Sequence, residues 1–314
     1  MAAILTEALT KTYSGHGAAW RRGDDIRALH DLSIEVHEGE VFGFLGPNGA
    51  GKSTTIRLLL GFLHATSGSG RVLGLDIGRR SEDIRRRSGY LPGGIALYDT
   101  MTGHEQLRYL SELDARPPVL RGQLIERMEL SERDLRRQVR DYSRGMRQKI
   151  GIIQAFQQDP ELAILDEPTE GLDPLMQRSF YELLDERRRA GRTVFLSSHI
   201  LSEVERVCDR VAIVRKGELV ALSDVAELLR RHRRRVEIRL DGGMPHLESV
   251  PGISAVSVAD DIFTCQLEGD PTPLVAALQG YDLRDLLIEP ARLEEAFMEY
   301  YADDGHEVGA EAQP

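Results

Sequence analysis

Residues 46–54 read GPNGAGKST. This stretch decides more than any other what the chain can fold into, because its glycines, lysine and hydroxyls are the parts needed to hold a nucleotide triphosphate between a strand and a helix. Residues 41–45 (VFGFL) read as a short buried strand and residues 55–60 (TIRLLL) as the opening of an amphipathic helix, so the glycines fall where strand passes into helix. Gly46, Gly49 and Gly51 let the backbone curl so that successive N–H groups point into one concavity, and the positive end of the following helix dipole favours phosphates placed there. Pro47, Asn48, Ala50 and Thr54 complete the nucleotide-binding loop. Lys52 is expected to reach the β- and γ-phosphates and Ser53 to offer a hydroxyl to Mg²⁺, which makes ATP and Mg²⁺ the expected ligands. With glycine near ~7% of average usage, the four fixed positions arise by accident in on the order of one chain in a hundred of this length.

Downstream, residues 162–165 (LAIL) form a continuous apolar run ending in Asp166-Glu167-Pro168. The pattern predicts a buried parallel strand that presents two adjacent carboxylates at its C-terminal end, where open α/β sheets place their ligands. Successive strand residues face opposite ways, so Asp166 is assigned to the metal and Glu167 to the attacking water. A second run, residues 193–198 (TVFLSS), ends at His199. A lone histidine at a strand end is more often structural than catalytic, but this one would arrive on the same edge as Lys52 and Glu167 and is assigned to the γ-phosphate.

At 314 residues the chain is long for one compact core, which predicts a large nucleotide-binding domain and a smaller C-terminal unit. The formal net charge is −11, whereas nucleic-acid binding usually shows as a basic surface, so DNA and RNA are not expected partners. The lysines are only Lys11, Lys52, Lys149 and Lys216; genome base composition accounts for the arginine excess, and the arginines carry little functional weight. Cys208 and Cys265 show neither metal-ligand spacing nor a disulfide framework, which fits a reducing compartment. No stretch approaches the roughly 20 apolar residues that span a bilayer, and no signal sequence is expected at the N-terminus.

These pieces in this order, with residues 142–149 reading YSRGMRQK between them, resemble the ATP-binding subunit of ABC (ATP-binding cassette) transporters. The resemblance spans roughly residues 3–225. Residues 142–146 match the LSGGQ-type signature in the variant spelling YSRGM, residues 166–169 the second nucleotide motif, residues 171–173 the D-loop, and His199 the switch histidine. Tyr13 matches the aromatic that stacks on adenine; Trp20, in the insertion of residues 14–25, is read as a surface or packing residue. The signature also has its own physical logic. Ser143 and the Gly145 backbone can donate hydrogen bonds to phosphate at the N-terminus of a helix predicted over residues 145–156. The resemblance implies that this second phosphate site caps ATP on another subunit, so that two cassettes, identical or related, close around two nucleotides. The chain departs from the family after residues 89–92 (GYLP), where many members carry a glutamine and this sequence has Gly93-Gly94, and at Arg144, which replaces a glycine. No side chain at Gly93 can reach Mg²⁺, yet residues 93–106 are still expected to meet the membrane partner.

The resemblance implies an α/β fold: a P-loop NTPase cassette with a mixed sheet core over residues 1–224, including a helical subdomain at about 95–155. Thr102 and Glu105 are spaced as a capping box. A small α+β accessory domain is expected over residues 225–301. Strands are predicted around residues 236–240, 253–258 and 262–267, and helices near 273–278 and 293–300. The basic run at residues 230–235 reads as a solvated linker, with contact to anionic lipid as the alternative, and residues 302–314 as a disordered tail. Residues 289–297 resemble the tail of drug- and antibiotic-export ATPases. The implied function is ATP hydrolysis energising export of a drug or other hydrophobic small molecule through a separate integral-membrane permease, at the cytoplasmic face of the cell membrane. Lipid, polysaccharide or sodium export, an importer's ATPase, and a soluble regulatory ATPase acting on ribosomes or repair complexes are the alternatives. The last usually holds two cassettes per chain, and this sequence has one phosphate loop.

Overall fold

The computed structural model describes residues 1–14, 25–113, 116–231, 234–241, 245–259 and 262–289, with backbone alone at 230 and 231. Trp20, the helix expected over 293–300 and the tail 302–314 lie outside these residues. The chain divides between Leu222 and Ser223 into two compact units.

In the first unit the apolar run at Val41–Leu45 is a strand with every residue buried, as a strand covered on both faces must be. It pairs in parallel with Thr193–Ser198 on one side and Arg210–Arg215 on the other. Leu162–Asp166 pairs in parallel with Thr193–Ser198, and Ser88–Leu91 with Leu162–Asp166. Glu218–Asp224 completes a six-stranded sheet beyond Arg210–Arg215. The register matters most for the site: Leu45 lies opposite Ser198 and Asp166 opposite Ser197. Three neighbouring strands therefore end level, and the residues that follow them, Gly46, Glu167 and His199, leave the sheet side by side.

A second sheet is built on the long strand Ala2–Tyr13, which pairs antiparallel with Ile26–Leu32, Glu35–His37 and Ser67–Val72. The helix Lys52–Leu59 lies between the two sheets, touching Leu162–Asp166 on one side and Ile26–Leu32 and Ser67–Val72 on the other. Ile56, Leu58 and Leu59 share one core with Phe42, Phe44, Ile164 and Phe195 from the parallel sheet and Ile4, Leu9 and Leu29 from the antiparallel one. Each such side chain contributes about 1.5–3 kcal/mol on full burial, so the helix that starts at Lys52 is fixed from both faces. It begins three residues before the apolar periodicity does, because Gly51, at φ +102°, caps it in a left-handed conformation.

Between the strands Ser88–Leu91 and Leu162–Asp166 the chain makes the helices Gly103–Glu112, Arg121–Arg127, Glu132–Leu135 and Arg144–Phe156. The first carries the predicted capping box: Thr102 Oγ1 accepts from Glu105 N–H at 3.2 Å and Thr102 N–H donates to Glu105 Oε2 at 2.8 Å. The last packs directly on Ser88–Leu91. A Cβ at Gly89 would lie 1.9 Å from the Ala155 carbonyl oxygen, so only glycine permits this approach.

The second unit holds a four-stranded antiparallel sheet in the order Ile253–Ala259, Ile262–Leu267, Arg234–Leu240, Leu283–Ile288, with the helix Thr272–Ala277. Val236, Ile238, Phe263, Leu267 and Leu274 are in its core. Two sequence expectations need correction here. Residues 225–231 form a helix and Arg234 and Arg235 open a strand, so the described residues of the basic run belong to these two elements rather than to a linker; arginine is a good helix former and its charge hides that propensity. The strand Leu283–Ile288 was not expected, because LRDLLI does not alternate.

Candidate nucleotide site

The end of Leu162–Asp166 and the loop after Val41–Leu45 border a recess of about 240 Å³ lined by Ala28, residues 47–49, residues 51–54, Gly93, Asp166 and Glu167. Pockets that swallow a whole drug-sized ligand start near ~300 Å³, so this volume suits the phosphate chain rather than an entire nucleotide. Gly46 and Ala50 lie beneath the loop instead of in it. Gly46 N–H donates to the Ser198 carbonyl at 3.2 Å and Ala50 N–H to the Pro47 carbonyl at 3.2 Å, so these two amides do not face the recess, contrary to the sequence expectation of an unbroken row. Gly51 is required sterically as well as by its φ, since a Cβ would meet the Ala28 carbonyl oxygen at 2.6 Å.

Lys52 is 6% exposed and donates to the Gly46 carbonyl at 2.7 Å and the Pro47 carbonyl at 3.3 Å. Its Nζ lies 3.2 Å from Glu167 Oε1, although that oxygen completes no aligned hydrogen bond. The other carboxylate oxygen, Oε2, is 2.8 Å from His199 Nδ1. A carboxylate can only accept, so Nδ1 carries a proton and donates it. Glu167 thus stands between a buried cation and a half-exposed imidazole. It leaves the strand at φ +50°, a conformation that costs a non-glycine residue of order 1–3 kcal/mol and that clusters at functional sites. Its N–H donates to the Ser197 carbonyl at 3.1 Å, which holds the turn to the neighbouring strand.

Asp166, the last residue of its strand, lines the same recess. Its Oδ2 accepts from Ser53 Oγ at 2.8 Å and its Oδ1 from Ser197 Oγ at 2.5 Å. Ser197 was missed in the sequence; a serine inside an apolar run carries no signal of its partner. Ser53 and Asp166 present hard oxygen donors on the recess wall, the ligand type Mg²⁺ takes when phosphates and water supply the rest of its shell. Among the described residues no group of three or more His, Cys, Asp or Glu side chains is placed to hold a metal, so these two oxygens are a partial set. Gly93 lines the recess too: a Cβ there would sit 3.3 Å from the Asp166 carboxyl group. Tyr90, on the strand before it, is held above the usual phenol range by burial and by the charge of Asp166.

The remaining sequence candidates are not brought to the recess. Tyr13 ends its strand opposite Ile26, with Lys11 Nζ 5.3 Å from its ring centre. Ser143 caps the helix Arg144–Phe156, its Oγ accepting from Met146 N–H at 3.2 Å. Gly145 follows in the first turn, where a Cβ would lie 2.8 Å from the Gly171 carbonyl oxygen. Arg144 makes an ion pair with Glu170, and Gln148 Nε2 donates to the Pro168 carbonyl at 2.6 Å. The start of this helix is therefore joined to the residues that follow Glu167.

A phosphate-sized recess at a strand-to-helix loop, with a buried lysine, a metal-type carboxylate and a carboxylate–imidazole pair on adjacent strand ends, defines a nucleoside-triphosphate-hydrolysing cassette. Comparison with known proteins specifies it further. The family model described as ABC transporter matches residues 29–170. An ABC transporter ATP-binding protein of Synechocystis sp. is 38% identical over 293 residues, covering 89% of this chain and 80% of its own length. The linearmycin resistance ATP-binding protein LnrL of Bacillus subtilis is 32% identical, covering 85% of this chain and 91% of its own. A fluoroquinolones export ATP-binding protein of Mycobacterium tuberculosis is 39% identical, covering 69% and 72%. A solved ATP-binding subunit of an ABC transporter superposes with a TM-score of 0.64 at 31% identity, over 73% of this chain and 92% of the other. The chain belongs to the ATP-binding proteins of the ABC transporter family. It has the ABC cassette fold and is an ATPase coupled to transport.

Proposed function

We propose that the chain is the hydrolysing subunit of an exporter, with Lys52, Glu167 and His199 acting as one linked set. The observation that carries this reading is the chain of contacts from Lys52 Nζ through Glu167 to His199, at 3.2 and 2.8 Å, beside the phosphate-sized recess. Lys52 and Glu167 are paired at 3.2 Å, so the lysine offsets the charge of the carboxylate. Phosphates entering the recess draw Lys52 toward their own larger charge, which leaves Glu167 free to accept a proton from water while His199 Nδ1–H keeps its other oxygen in place. Loading the recess therefore arms the base. Residues 47–49 and 51–54 cradle the phosphates, and Tyr13 supplies the ring for adenine. Ser53 and Asp166 hold Mg²⁺, which neutralises phosphate charge when bound.

Ser143 and Gly145 stand apart from the recess at the start of a 13-residue helix, an arrangement that supports capping of a nucleotide held by a second cassette rather than by the same chain. The working unit is then a dimer, of two copies or of two related cassettes. Among the described residues no helix is long and apolar enough to cross a membrane, so the transport path is assigned to a separate permease, reached at the cytoplasmic membrane face through residues 93–106. Resistance and export in the names of the Bacillus and Mycobacterium relatives support a drug or another hydrophobic small molecule as the cargo. Purification of the tagged chain from detergent-solubilised membranes of its host tests the reading. A multi-spanning protein in near-equal amount is the expected result; recovery with ribosomal or repair proteins in the soluble fraction alone would overturn it.

A further inference from the structure

Glu203 lies on the helix Leu201–Val207, 2% exposed, behind the recess rather than in it. Its Oε2 accepts from Ser198 Oγ at 2.5 Å, and the same hydroxyl accepts from Ile200 N–H at 3.0 Å. Ser198 and Ile200 flank His199, so one hydroxyl fastens the turn that carries the imidazole, and Glu203 fastens that hydroxyl. On the far side stands Thr169, 3% exposed and two residues beyond Glu167. Burial pushes the Glu203 carboxyl above the usual carboxylate range, partly offset by the Ser198 and Thr169 hydroxyls, while the charge of Glu167 pushes it further up. Glu203 Oε1 completes no hydrogen bond.

We propose that Glu203 is a positioning residue for hydrolysis: through Ser198 its carboxyl fastens the turn that carries His199, and so fixes the distance at which His199 holds Glu167. The proposal rests on the reading of Glu167 and His199 as the hydrolytic pair. Oε2 is the accepting oxygen, and a carboxyl buried this deeply holds one orientation only through such a bond. A catalytic turn at the end of one strand is in this way held by a side chain on a separate helix.

The test uses the full-length chain with ATP, reading nucleotide affinity and kcat separately. Glu203→Ala releases the turn that carries His199 and is expected to lower kcat about a hundredfold, the scale of a misplacement near 1 Å, with ATP affinity within about twofold of the parent. Glu203→Gln is expected to restore kcat to within about threefold, because its amide oxygen accepts from Ser198. If the alanine variant folds poorly, Ser198→Ala breaks the same link with the carboxyl retained and is expected to share the loss in kcat. Parental kcat in Glu203→Ala, or a glutamine variant as slow as the alanine one, or affinity and kcat falling together, overturns the proposal. A Glu167→Gln control separates the levels: if it loses hydrolysis while Glu203→Ala does not, only the positioning role fails. If Glu167→Gln hydrolyses normally, the hydrolytic reading fails with it.

Discussion

Substituting Glu167 by glutamine should slow the reaction and tighten ATP at the same time. The carboxylate lies 3.2 Å from Lys52 Nζ, with the two side chains 16% and 6% exposed. At an effective dielectric of ~20 that pair is worth about 5 kcal/mol of gross attraction, and desolvation removes most of it. Because Glu167 Oε1 makes no aligned hydrogen bond, the net value belongs at the low end for charged partners, about 1.5 kcal/mol. ATP must draw Lys52 out of this pair. In Glu167→Gln that cost is absent, so ATP is expected to bind about tenfold more tightly, while loss of the base lowers kcat by about 10²- to 10⁴-fold. Isothermal titration without divalent cations measures the first effect free of hydrolysis, and phosphate release measures the second. Adenosine, which has no phosphates to compete for Lys52, should show no tightening. An ATP affinity equal to or weaker than the parent's would refute the competition between Glu167 and phosphate, and hydrolysis at the parental rate would remove Glu167 from the chemistry.

Lys52→Ala should lose ATP affinity and turnover together, by at least tenfold each, since the lysine meets phosphate before and during reaction; unchanged ATPase activity would sink the assignment of the loop. Mixed dimers of one Ser143→Ala and one Lys52→Ala subunit should keep one intact site, because both defects fall on the same nucleotide, and activity no higher than that of the two pure mutant dimers would exclude capping across the interface. Stability should fall as pH rises above about 9. Burial raises the Cys208 thiol well above its ordinary value of 9.0 and pushes Tyr181 up to about 12, so the unfolded chain ionises first and binds fewer protons than the folded one. Thermal unfolding between pH 8 and 11 checks the sign, and a melting temperature that climbs across that range would contradict it.

The parts of the site that were legible in the sequence are those whose chemistry coincides with a pattern. Val41–Leu45 and Leu162–Asp166 are strands buried throughout, and central parallel strands announce themselves as unbroken apolar runs. Lys52, Glu167 and His199 could be placed on one edge because each follows such a run. What stayed hidden depends on register and on packing between elements. Nothing in the one-dimensional spacing says that Ser197 is level with Asp166, that Glu167 sits at positive φ, or that Glu203 reaches back to Ser198. Gly46 looks like every other glycine of its loop until its N–H is found committed to Ser198. The helix at residues 225–231 was hidden by its charge, and the strand Leu283–Ile288 by its lack of alternation.

The close approach of Gly89 to the Ala155 carbonyl gives the helix Arg144–Phe156 a fulcrum. With about 1.5 Å of rise per residue, Ser143 stands roughly 18 Å from that point, so a tilt of about 10° would carry the Ser143 hydroxyl some ~3 Å. The far end is held by the Arg144–Glu170 and Arg147–Asp99 ion pairs, by the buried Gln148 hydrogen bond and by the close approach of Gly145 to the Gly171 carbonyl. The geometry is that of a lever seated on the sheet at one end and latched at the other to the residues that follow Glu167. A small rotation of the helical segment is thereby multiplied where Ser143 stands, and the latch connects that motion to the turn bearing Glu167.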